Sequence, residues 1–296
     1  MLNSFAPSHI TVDDISGRYP SDIRIAVIRL DKLHPVVSGN KWFKLRFYLE
    51  EALLLKKKGL ITFGGAWSNH IVATATACQE SGLQSIGIIR GEEPAQWSQA
   101  LLDAKQAGME LHFVSRSDYK EKHVPVSLQT DPAEYTLVPE GGYGPVGVKG
   151  AATIAAIPKD LFTHYVCMAG TGTMTAGLIN AVPASSKVIS ISAMKNNHSL
   201  QEMIASQLNP VHAEWTLLHD YHGGGYARHS PALLQFMNDF YTETGIPTDF
   251  VYTGKLFLAI DDLVHKSFFP PESRILVIHS GGLQGNRSLP KGTLNF

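Results

Sequence analysis

Cysteine is scarce in this sequence, with only Cys78 and Cys167 among 296 residues. The two lie far apart, each inside an apolar stretch, which favours buried reduced thiols over a disulfide framework or a metal site. No stretch is long and apolar enough to span a bilayer, and residues 1–10 lack the basic and apolar regions of a signal peptide. We therefore expect a cytoplasmic protein with no membrane partner.

Charge of one sign is also lacking, since the formal net charge is -1. The three lysines at 56–58 form the only cluster of like charge that stands out, and that cluster fits the end of a helix better than a nucleic-acid site. A polyanionic partner such as nucleic acid is therefore not expected.

What the sequence does contain is a regular alternation of short β-rich segments and helical patterns. A βαβα order of this kind predicts an α/β protein whose parallel sheets are covered by helices through right-handed crossovers. The predicted strands cover residues 23–30, 60–63, 85–89, 110–114, 136–138, 164–168, 187–193, 217–218 and 275–278, and the clearest predicted helices cover 68–80 and 95–107.

A stretch rich in glycine and proline at 139–145 interrupts this alternation. It has the composition of a junction between two domains, but a functional loop would have the same composition. Both interpretations stay open at the level of sequence.

The first stretch that suggests chemistry is 38–45, where Lys41 lies between a Ser-Gly-Asn turn signal and an amphipathic helical pattern. An apolar pocket and a second cation, here Lys44, favour the neutral amine and make a lysine a nucleophile or Schiff-base former. The alternative is that two lysines three residues apart mark a solvated helix face.

A second stretch, 64–70, follows a predicted strand and ends in Ser68, Asn69 and His70. Its two glycines allow a sharp turn, and Ser68 or Asn69 is a typical helix-capping residue, so a simple strand–turn–helix is one interpretation. Trp67 and His70 favour a functional site, because capping does not need them.

A third stretch, 169–177, opens a predicted helix with alternating glycine and threonine. Freed backbone N–H groups, threonine hydroxyls and the helix dipole together favour a bound phosphate. A dinucleotide is not expected, because Thr175 replaces the third glycine of that fingerprint and the next strand ends at Met194 instead of an acid. No Gly-Lys-Ser/Thr follows, which excludes a P-loop. The stretch therefore predicts a compact cofactor with one phosphate.

Two further stretches, 251–255 and 279–282, lie near the C-terminus. A strand that runs into Ser-Gly-Gly allows a flat ligand to approach the backbone closely. Taken singly, each is better explained as a turn between a strand and the tail.

Together these stretches occur in the order seen in pyridoxal-phosphate enzymes of the tryptophan synthase β-like fold, fold type II. More narrowly, the chain resembles the 1-aminocyclopropane-1-carboxylate deaminase and D-cysteine desulfhydrase family over nearly its whole length. The resemblance implies pyridoxal 5'-phosphate as cofactor, two three-layer α/β/α domains with mostly parallel sheets, and a homodimer. It implies a large cofactor-binding domain at 1–43 and 150–296, and a small domain at 44–149.

The resemblance also implies a role for each motif residue. Lys41 would form the Schiff base with the cofactor aldehyde and then act as the base at the substrate α-carbon. Tyr252 would be a proton donor or a pocket wall. The remaining roles are a contact of Asn69 with the ring hydroxyl, contacts of Ser68 and His70 with the substrate, and a phosphate site built from Gly170, Thr171, Gly172 and Thr173.

Position 253 separates two chemistries in the family. Cyclopropane deaminases have glutamate there, which keeps the ring nitrogen protonated and the ring a strong electron sink. This chain has Thr253, and a hydroxyl from Thr253 or Ser280 would leave the nitrogen mostly neutral. The prediction is an α,β-elimination on a small D-amino acid, like that of D-cysteine desulfhydrase, which yields ammonia and a 2-keto acid.

Two departures from the family pattern concern the substrate. Met174 stands where threonine is usual in the phosphate loop, which predicts the loss of one side-chain contact. Trp67 replaces a glutamine-type residue and is predicted to line the substrate pocket, where it would either narrow the pocket or exclude D-cysteine. The rival functions are 1-aminocyclopropane-1-carboxylate deamination and binding of pyridoxal phosphate or another phosphorylated ligand without turnover.

Overall fold

The computed structural model describes residues 7–126, 128 and 131–296. The prediction that no signal peptide covers 1–10 therefore falls partly outside the described residues. Within those ranges no helix is long and apolar enough to cross a membrane. Cys78 and Cys167 are both buried and form no disulfide bond, as the sequence predicted.

The larger of two sheets has six strands in the order β1-β2-β10-β7-β8-β9. All neighbouring pairs are parallel except β1 with β2, which is antiparallel. The sequence predicted five of these strands and missed β1, which is only three residues long. The strands are β1 (Val12–Asp14), β2 (Arg24–Arg29), β7 (His164–Ala169), β8 (Lys187–Ser192), β9 (Glu214–Leu218) and β10 (Arg274–His279).

The smaller sheet has four strands in the order β5-β4-β3-β6, and all three pairs are parallel. Because parallel neighbouring strands cannot be joined by a tight hairpin, a longer crossover connects each pair. All four strands come from one continuous part of the chain. The strands are β3 (Gly59–Gly65), β4 (Gln84–Arg90), β5 (Glu110–Val114) and β6 (Tyr135–Val138).

Nine helices lie within the described residues, and the second begins within one residue of the predicted 68–80. The third begins at Gln99 instead of 95, because the hydroxyl of Ser98 accepts the backbone N–H of Leu101 and caps the helix. The helices are α1 (Asn40–Leu54), α2 (Asn69–Glu80), α3 (Gln99–Gln106), α4 (Arg116–Lys120), α5 (Pro145–Ala152), α6 (Thr173–Ala181), α7 (Ser199–Ala205), α8 (Pro231–Thr244) and α9 (Thr253–His265).

Both faces of the six-stranded sheet are buried, which makes this part of the molecule three-layered. Along β10, Leu276 and Ile278 belong to one apolar cluster, together with residues of α1 and α6. Ile275 and Val277 belong to the opposite cluster, together with residues of α9. Alternate side chains of the strand thus enter separate cores, as the two-residue period of a β-strand requires.

Helix α1 runs across the predicted domain boundary at 43/44. It contacts α5 and α6 as well as α2, β3 and β6, so it touches elements around both sheets. The helix that carries Lys41 therefore lies where the two sheets with their helices meet. The division into domains at 43/44 and 149/150 stays a prediction.

Candidate active site

The sequence motifs come together at the carboxyl ends of parallel strands from both sheets. The end of β10 approaches the start of α1 so closely that a Cβ on Gly39 would overlap the carbonyl of Ser280. Gly39 also has φ +67°, a conformation that glycine adopts at little cost. The backbone N–H of Asn40 donates to Ser280 O at 3.2 Å, which fixes the beginning of the Lys41 helix on the sheet.

The Lys41 amine donates to Asn40 Oδ1 at 2.9 Å. The other side of that amide, Asn40 Nδ2, donates to the sulfur of Met174 at 3.4 Å. The sequence predicted that Met174 would cost the phosphate loop a contact, and no described contact tests that loss. What the structure adds is a different contact, in which Met174 orients the amide that holds Lys41.

Burial changes the acid–base behaviour of the two lysines on this helix. It lowers the pKa of Lys41 to about 8, against the opposing effect of the Asp249 charge. It lowers the pKa of Lys44 still further below its ordinary value, and the nearby Lys41 charge adds to this. Lys44 is only 5% exposed, which is inconsistent with the solvated-face interpretation of the two lysines.

Ser68 lies at the N-cap position of α2, yet its side chain accepts no hydrogen bond from the helix. Its hydroxyl has no hydrogen-bond partner in the part of the chain that the structure describes. Capping therefore does not account for Ser68. The hydroxyl is available to a ligand, and so is the side-chain amide of the neighbouring Asn69, which likewise has no described hydrogen bond.

His70 is buried behind Ser68, and its hydrogen bonds define its tautomer. Thr62 Oγ1 donates to Val138 O at 2.9 Å, so it must accept from His70 Nε2, which lies 2.8 Å away. The other ring nitrogen, Nδ1, is buried with no partner among the described residues. Burial, with Lys44 and Lys41 nearby, lowers the pKa of His70 well below its ordinary value, so the ring is neutral.

The predicted phosphate loop leads from β7 into α6, and Gly172 adopts a left-handed conformation just before the helix. The first amides of a helix have no partners inside it, so they are free to bind an anion. Thr171 and Thr173 hydroxyls lie 3.0 Å apart at the same place.

The stretch at 139–145 contacts this loop. A Cβ on Gly141 would lie 3.0 Å from the Thr171 side chain, and one on Gly142 would lie 3.0 Å from Cβ of Lys44. This contact favours the functional-loop interpretation of the stretch. The stretch thus contacts the phosphate loop through Gly141 and Lys44 through the next residue, Gly142.

Tyr252 lies beside the phosphate loop, 3.6 Å from the position of a Cβ on Gly170. Its ring contacts Tyr226, with 6.0 Å between the centroids and an angle of 69°. Burial and then the Tyr226 hydroxyl raise the pKa of Tyr252 well above its ordinary value, so it is a protonated phenol. The sequence analysis missed Tyr226, because its loop shows no periodicity and lies far from the other motifs.

Asp249 is a second residue that the sequence analysis missed. Its buried carboxylate accepts the backbone N–H groups of Val251, Tyr252 and Thr253 at 2.9 Å each. It also accepts the Thr253 hydroxyl at 2.7 Å. An acid shortly before a helical pattern is a capping signal, and that signal could have identified it.

The Thr253 hydroxyl is therefore engaged in holding the start of α9. It donates its hydrogen to Asp249 and accepts the Asp249 backbone N–H at 2.7 Å. The Ser280 hydroxyl, by contrast, has no hydrogen-bond partner within the described ranges, although the residue is only 8% exposed. Of the two hydroxyls that the sequence proposed for the ring nitrogen, Ser280 is the available one.

Trp67 does not fill a pocket, since 64% of it is exposed. It lines a cleft of about 290 Å³ that also contains Asn69 in its wall. That Trp67 lines and narrows the substrate pocket stays a prediction.

This arrangement joins a lysine of low pKa, a buried second lysine, a glycine-threonine loop at a helix start and a neutral tyrosine. The profile of the family described as pyridoxal-phosphate dependent enzyme matches residues 13–281, and the chain belongs to this family. The cofactor and the fold type that the sequence predicted are thereby confirmed.

Similar proteins narrow the comparison. A putative 1-aminocyclopropane-1-carboxylate deaminase of Pyrococcus horikoshii is 30% identical, over 84% of this chain and 81% of its own. A mitochondrial bifunctional D-cysteine desulfhydrase/1-aminocyclopropane-1-carboxylate deaminase of Arabidopsis thaliana is 28% identical, over 90% and 74%. A crystal structure of an ACC deaminase homologue superposes with a TM-score of 0.79 at 24% identity, covering 95% of this chain and 92% of its own. The predicted resemblance is confirmed.

Proposed function

We propose that the protein catalyses α,β-elimination on a small D-amino acid, as a D-cysteine desulfhydrase does. The supporting observation is the hydrogen-bonding around position 253. Thr253 supplies no carboxylate, its hydroxyl is held by Asp249, and Ser280 is the free hydroxyl nearby. A hydroxyl partner leaves the pyridine nitrogen mostly neutral, which suits removal of an α-proton and departure of a good β-leaving group.

The residues of the site fit a compact group that carries an aldehyde and one phosphate. Pyridoxal phosphate supplies electron withdrawal from the substrate α-carbon when it is bound. Lys41 would hold its aldehyde carbon, and the amides and hydroxyls of 170–173 would bind its phosphate. Buried Lys44 makes no described hydrogen bond, and a phosphate beside it would favour its charged form, because a buried cation requires an anion as partner.

The substrate side of the site is formed by Ser68, Asn69 and His70. The free Ser68 hydroxyl can bind a carboxylate, and the free Asn69 amide can bind the cofactor ring hydroxyl. The neutral His70 ring offers its Nδ1 as an acceptor, which has no partner among the described residues. The amine of Lys41, once free, would take the α-proton, because its lowered pKa leaves a large neutral fraction near pH 8. Tyr252 is protonated and its ring contacts Tyr226, so it would either donate a proton or form part of the pocket wall.

The test is keto-acid release by the purified holoenzyme from D-cysteine, D-serine, β-chloro-D-alanine and 1-aminocyclopropane-1-carboxylate, each with a Lys41→Ala control. We expect release from D-cysteine and chloroalanine, and borohydride followed by peptide mapping should place the cofactor on Lys41. Binding of cofactor without keto acid from any substrate would instead identify a protein that binds without turnover.

Deamination of 1-aminocyclopropane-1-carboxylate is the second candidate, and the name of the Pyrococcus horikoshii relative favours it. The Ser280→Asp variant separates the two, because a carboxylate in place of the available hydroxyl would keep the ring nitrogen protonated and favour opening of the cyclopropane. If the native enzyme opens the cyclopropane faster than it releases sulfide, the argument from Thr253 is wrong.

We also propose that the protein is a cytoplasmic homodimer and that its domains divide at 43/44 and 149/150. The family resemblance supports both proposals. Sedimentation of the purified protein tests the dimer. Limited proteolysis near 139–145 tests the boundary.

A further inference from the structure

A cleft opens beside the candidate active site, between the segment that follows β3 and the C-terminal part of the chain. Its volume is about 290 Å³. The proposed elimination does not account for it, since D-cysteine loses a single sulfur atom. The walls include Trp67, Gln96, Trp97, Ser98, Gln284 and Arg287.

The cleft adjoins the place where the substrate would react. Asn69 lines it, and Asn69 Nδ2 lies 3.7 Å from the position of a Cβ on Gly282, two residues after the free hydroxyl of Ser280. A group that leaves the substrate β-carbon beside Ser68 and Asn69 would therefore enter this cleft.

Two tryptophans determine the chemistry of the walls. Trp97 is held in place, because its indole N–H donates to Glu93 at 3.1 Å and its ring lies 5.8 Å from Phe113. Trp67 has no ring contact or hydrogen bond among the described residues, and 64% of it is exposed. An exposed indole of this kind favours contact with another flat apolar group.

The charges in the cleft cancel. Arg287 Nη1 lies 2.5 Å from Asp103 Oδ2, so the positive and the negative side chain in the wall are paired. Gln99 Nε2 also donates to Asp103, at 2.7 Å. A neutral group fits such a cleft better than an anionic one.

The volume sets the size of that group. A cleft of about 290 Å³ lies at the lower end of the range of roughly 300–1,000 Å³ that small-molecule sites occupy, so it suits a group of the size of one aromatic ring. We propose that this cleft binds an aryl or aralkyl leaving group, so that the substrate is an S-aryl or S-aralkyl conjugate of D-cysteine. This inference rests on the proposed function and names its substrate class.

Water is the only further reactant that this reaction needs. The α-C–H bond breaks as the base takes the proton, and the β-C–S bond breaks as the thiolate leaves with the electron pair and gains a proton. The 2-aminoacrylate that remains tautomerises to the imine, and water releases ammonia and pyruvate.

The test compares holoenzyme turnover of S-benzyl-D-cysteine, S-methyl-D-cysteine and D-cysteine in the native protein and in Trp67→Gln. We expect S-benzyl-D-cysteine to have the highest kcat/KM. We also expect its advantage over S-methyl-D-cysteine to fall about fivefold or more in the variant, the scale of one aromatic contact. Leu161→Gln, a substitution at an exposed site outside the cleft, is the matched control and should leave the ratio unchanged.

A second readout does not depend on turnover. Benzyl methyl sulfide, an unreactive mimic of the leaving group, should quench tryptophan fluorescence in the native holoenzyme and in Leu161→Gln, and do so weakly in Trp67→Gln. The enzyme could turn over D-cysteine but neither turn over S-benzyl-D-cysteine nor bind benzyl methyl sulfide. That result would overturn the assignment of the cleft and leave the proposed function intact. Binding of the sulfide at Trp67 without turnover of any D-amino acid would overturn the function and leave the cleft assignment.

Discussion

At the scale of single residues, a hydrogen bond distinguishes the two lysines of α1. Burial lowers the pKa of both Lys41 and Lys44. Among the described residues, however, only the Lys41 amine has a hydrogen-bond partner, the amide oxygen of Asn40. Asn40 is fixed in turn by Met174. The sequence identified Lys41 from its motif, whereas a contact between residues 134 positions apart depends on the folded chain.

The pKa of Lys41 leads to a prediction about cofactor capture. Because burial lowers this pKa to about 8, the neutral amine that attacks an aldehyde accumulates as the pH rises through 8. An exposed lysine would need a pH near 10.5. Near pH 7.5 the neutral fraction is therefore larger by roughly a hundredfold. We expect the rate of pyridoxal-phosphate capture by apoenzyme to have its midpoint near pH 8.

The control for this measurement is N-acetyl-lysine amide, whose reaction with the cofactor should follow the ordinary lysine pKa. A midpoint above pH 10 for the protein would show that Lys41 is not desolvated before the cofactor binds.

Asp249 leads to a prediction about stability. In Asp249→Asn an NH₂ group replaces one of the carboxylate oxygens that accept hydrogen bonds at the start of α9, so buried N–H donors lose a partner. We expect the free energy of unfolding to fall by about 2 kcal/mol, measured by urea denaturation. Asp160→Asn is the control, because 76% of that side chain is exposed, and it should change the value by less than about 0.5 kcal/mol. Equal effects of the two variants would refute the capping role.

At the scale of elements, the sequence predicted well wherever a motif follows a strand. The three glycine-containing turns after β3, β7 and β10 lie at the carboxyl ends of parallel strands, which is where α/β proteins place their sites. Periodicity could not reveal β1, which is too short, or the loop with Tyr226, whose position depends on a contact with α9.

That contact is made by Lys255. Its amine donates to the carbonyl oxygens of His222 and Gly225, at 2.8 Å each, and so attaches the glycine-rich loop to α9. Tyr226 follows directly after Gly225 and contacts Tyr252. Lys255 is thus a positioning residue, which acts on the site through the loop.

We predict that Lys255→Met, which keeps the length of the side chain, releases this loop. Backbone amides of 221–226 should exchange hydrogen at least tenfold faster, since two hydrogen bonds are lost. The turnover number should fall more than the affinity for cofactor, because Tyr226 no longer holds Tyr252. Lys105→Met, a change of an exposed lysine on α3, is the control. Unchanged exchange in the loop would show that the amine does not anchor it.

At the scale of the whole molecule, the site is assembled from both sheets, and ion pairs join some of the elements around them. His34 Nε2 lies 3.0 Å from Glu80 on one side, and Arg287 pairs with Asp103 on the other. A sequence predicts which residues follow each strand, but the distance between two sheets depends on packing and on pairs such as these, which have no local signal.

The Arg287–Asp103 pair therefore gives a prediction about cleft width. The side chain of Arg287 is 54% exposed, so the pair contributes at most about 1 kcal/mol and is sensitive to salt. In Arg287→Asp two carboxylates would face each other and push the walls of the cleft apart. We expect KM for D-cysteine to rise about twofold to fivefold at low ionic strength and to approach the native value at 1 M salt. The double variant Arg287→Asp/Asp103→Arg restores an attractive pair, and its KM should return towards the native value at low salt. If the single and the double variant behave alike, the pair does not set the distance across the cleft, and packing alone holds the two walls.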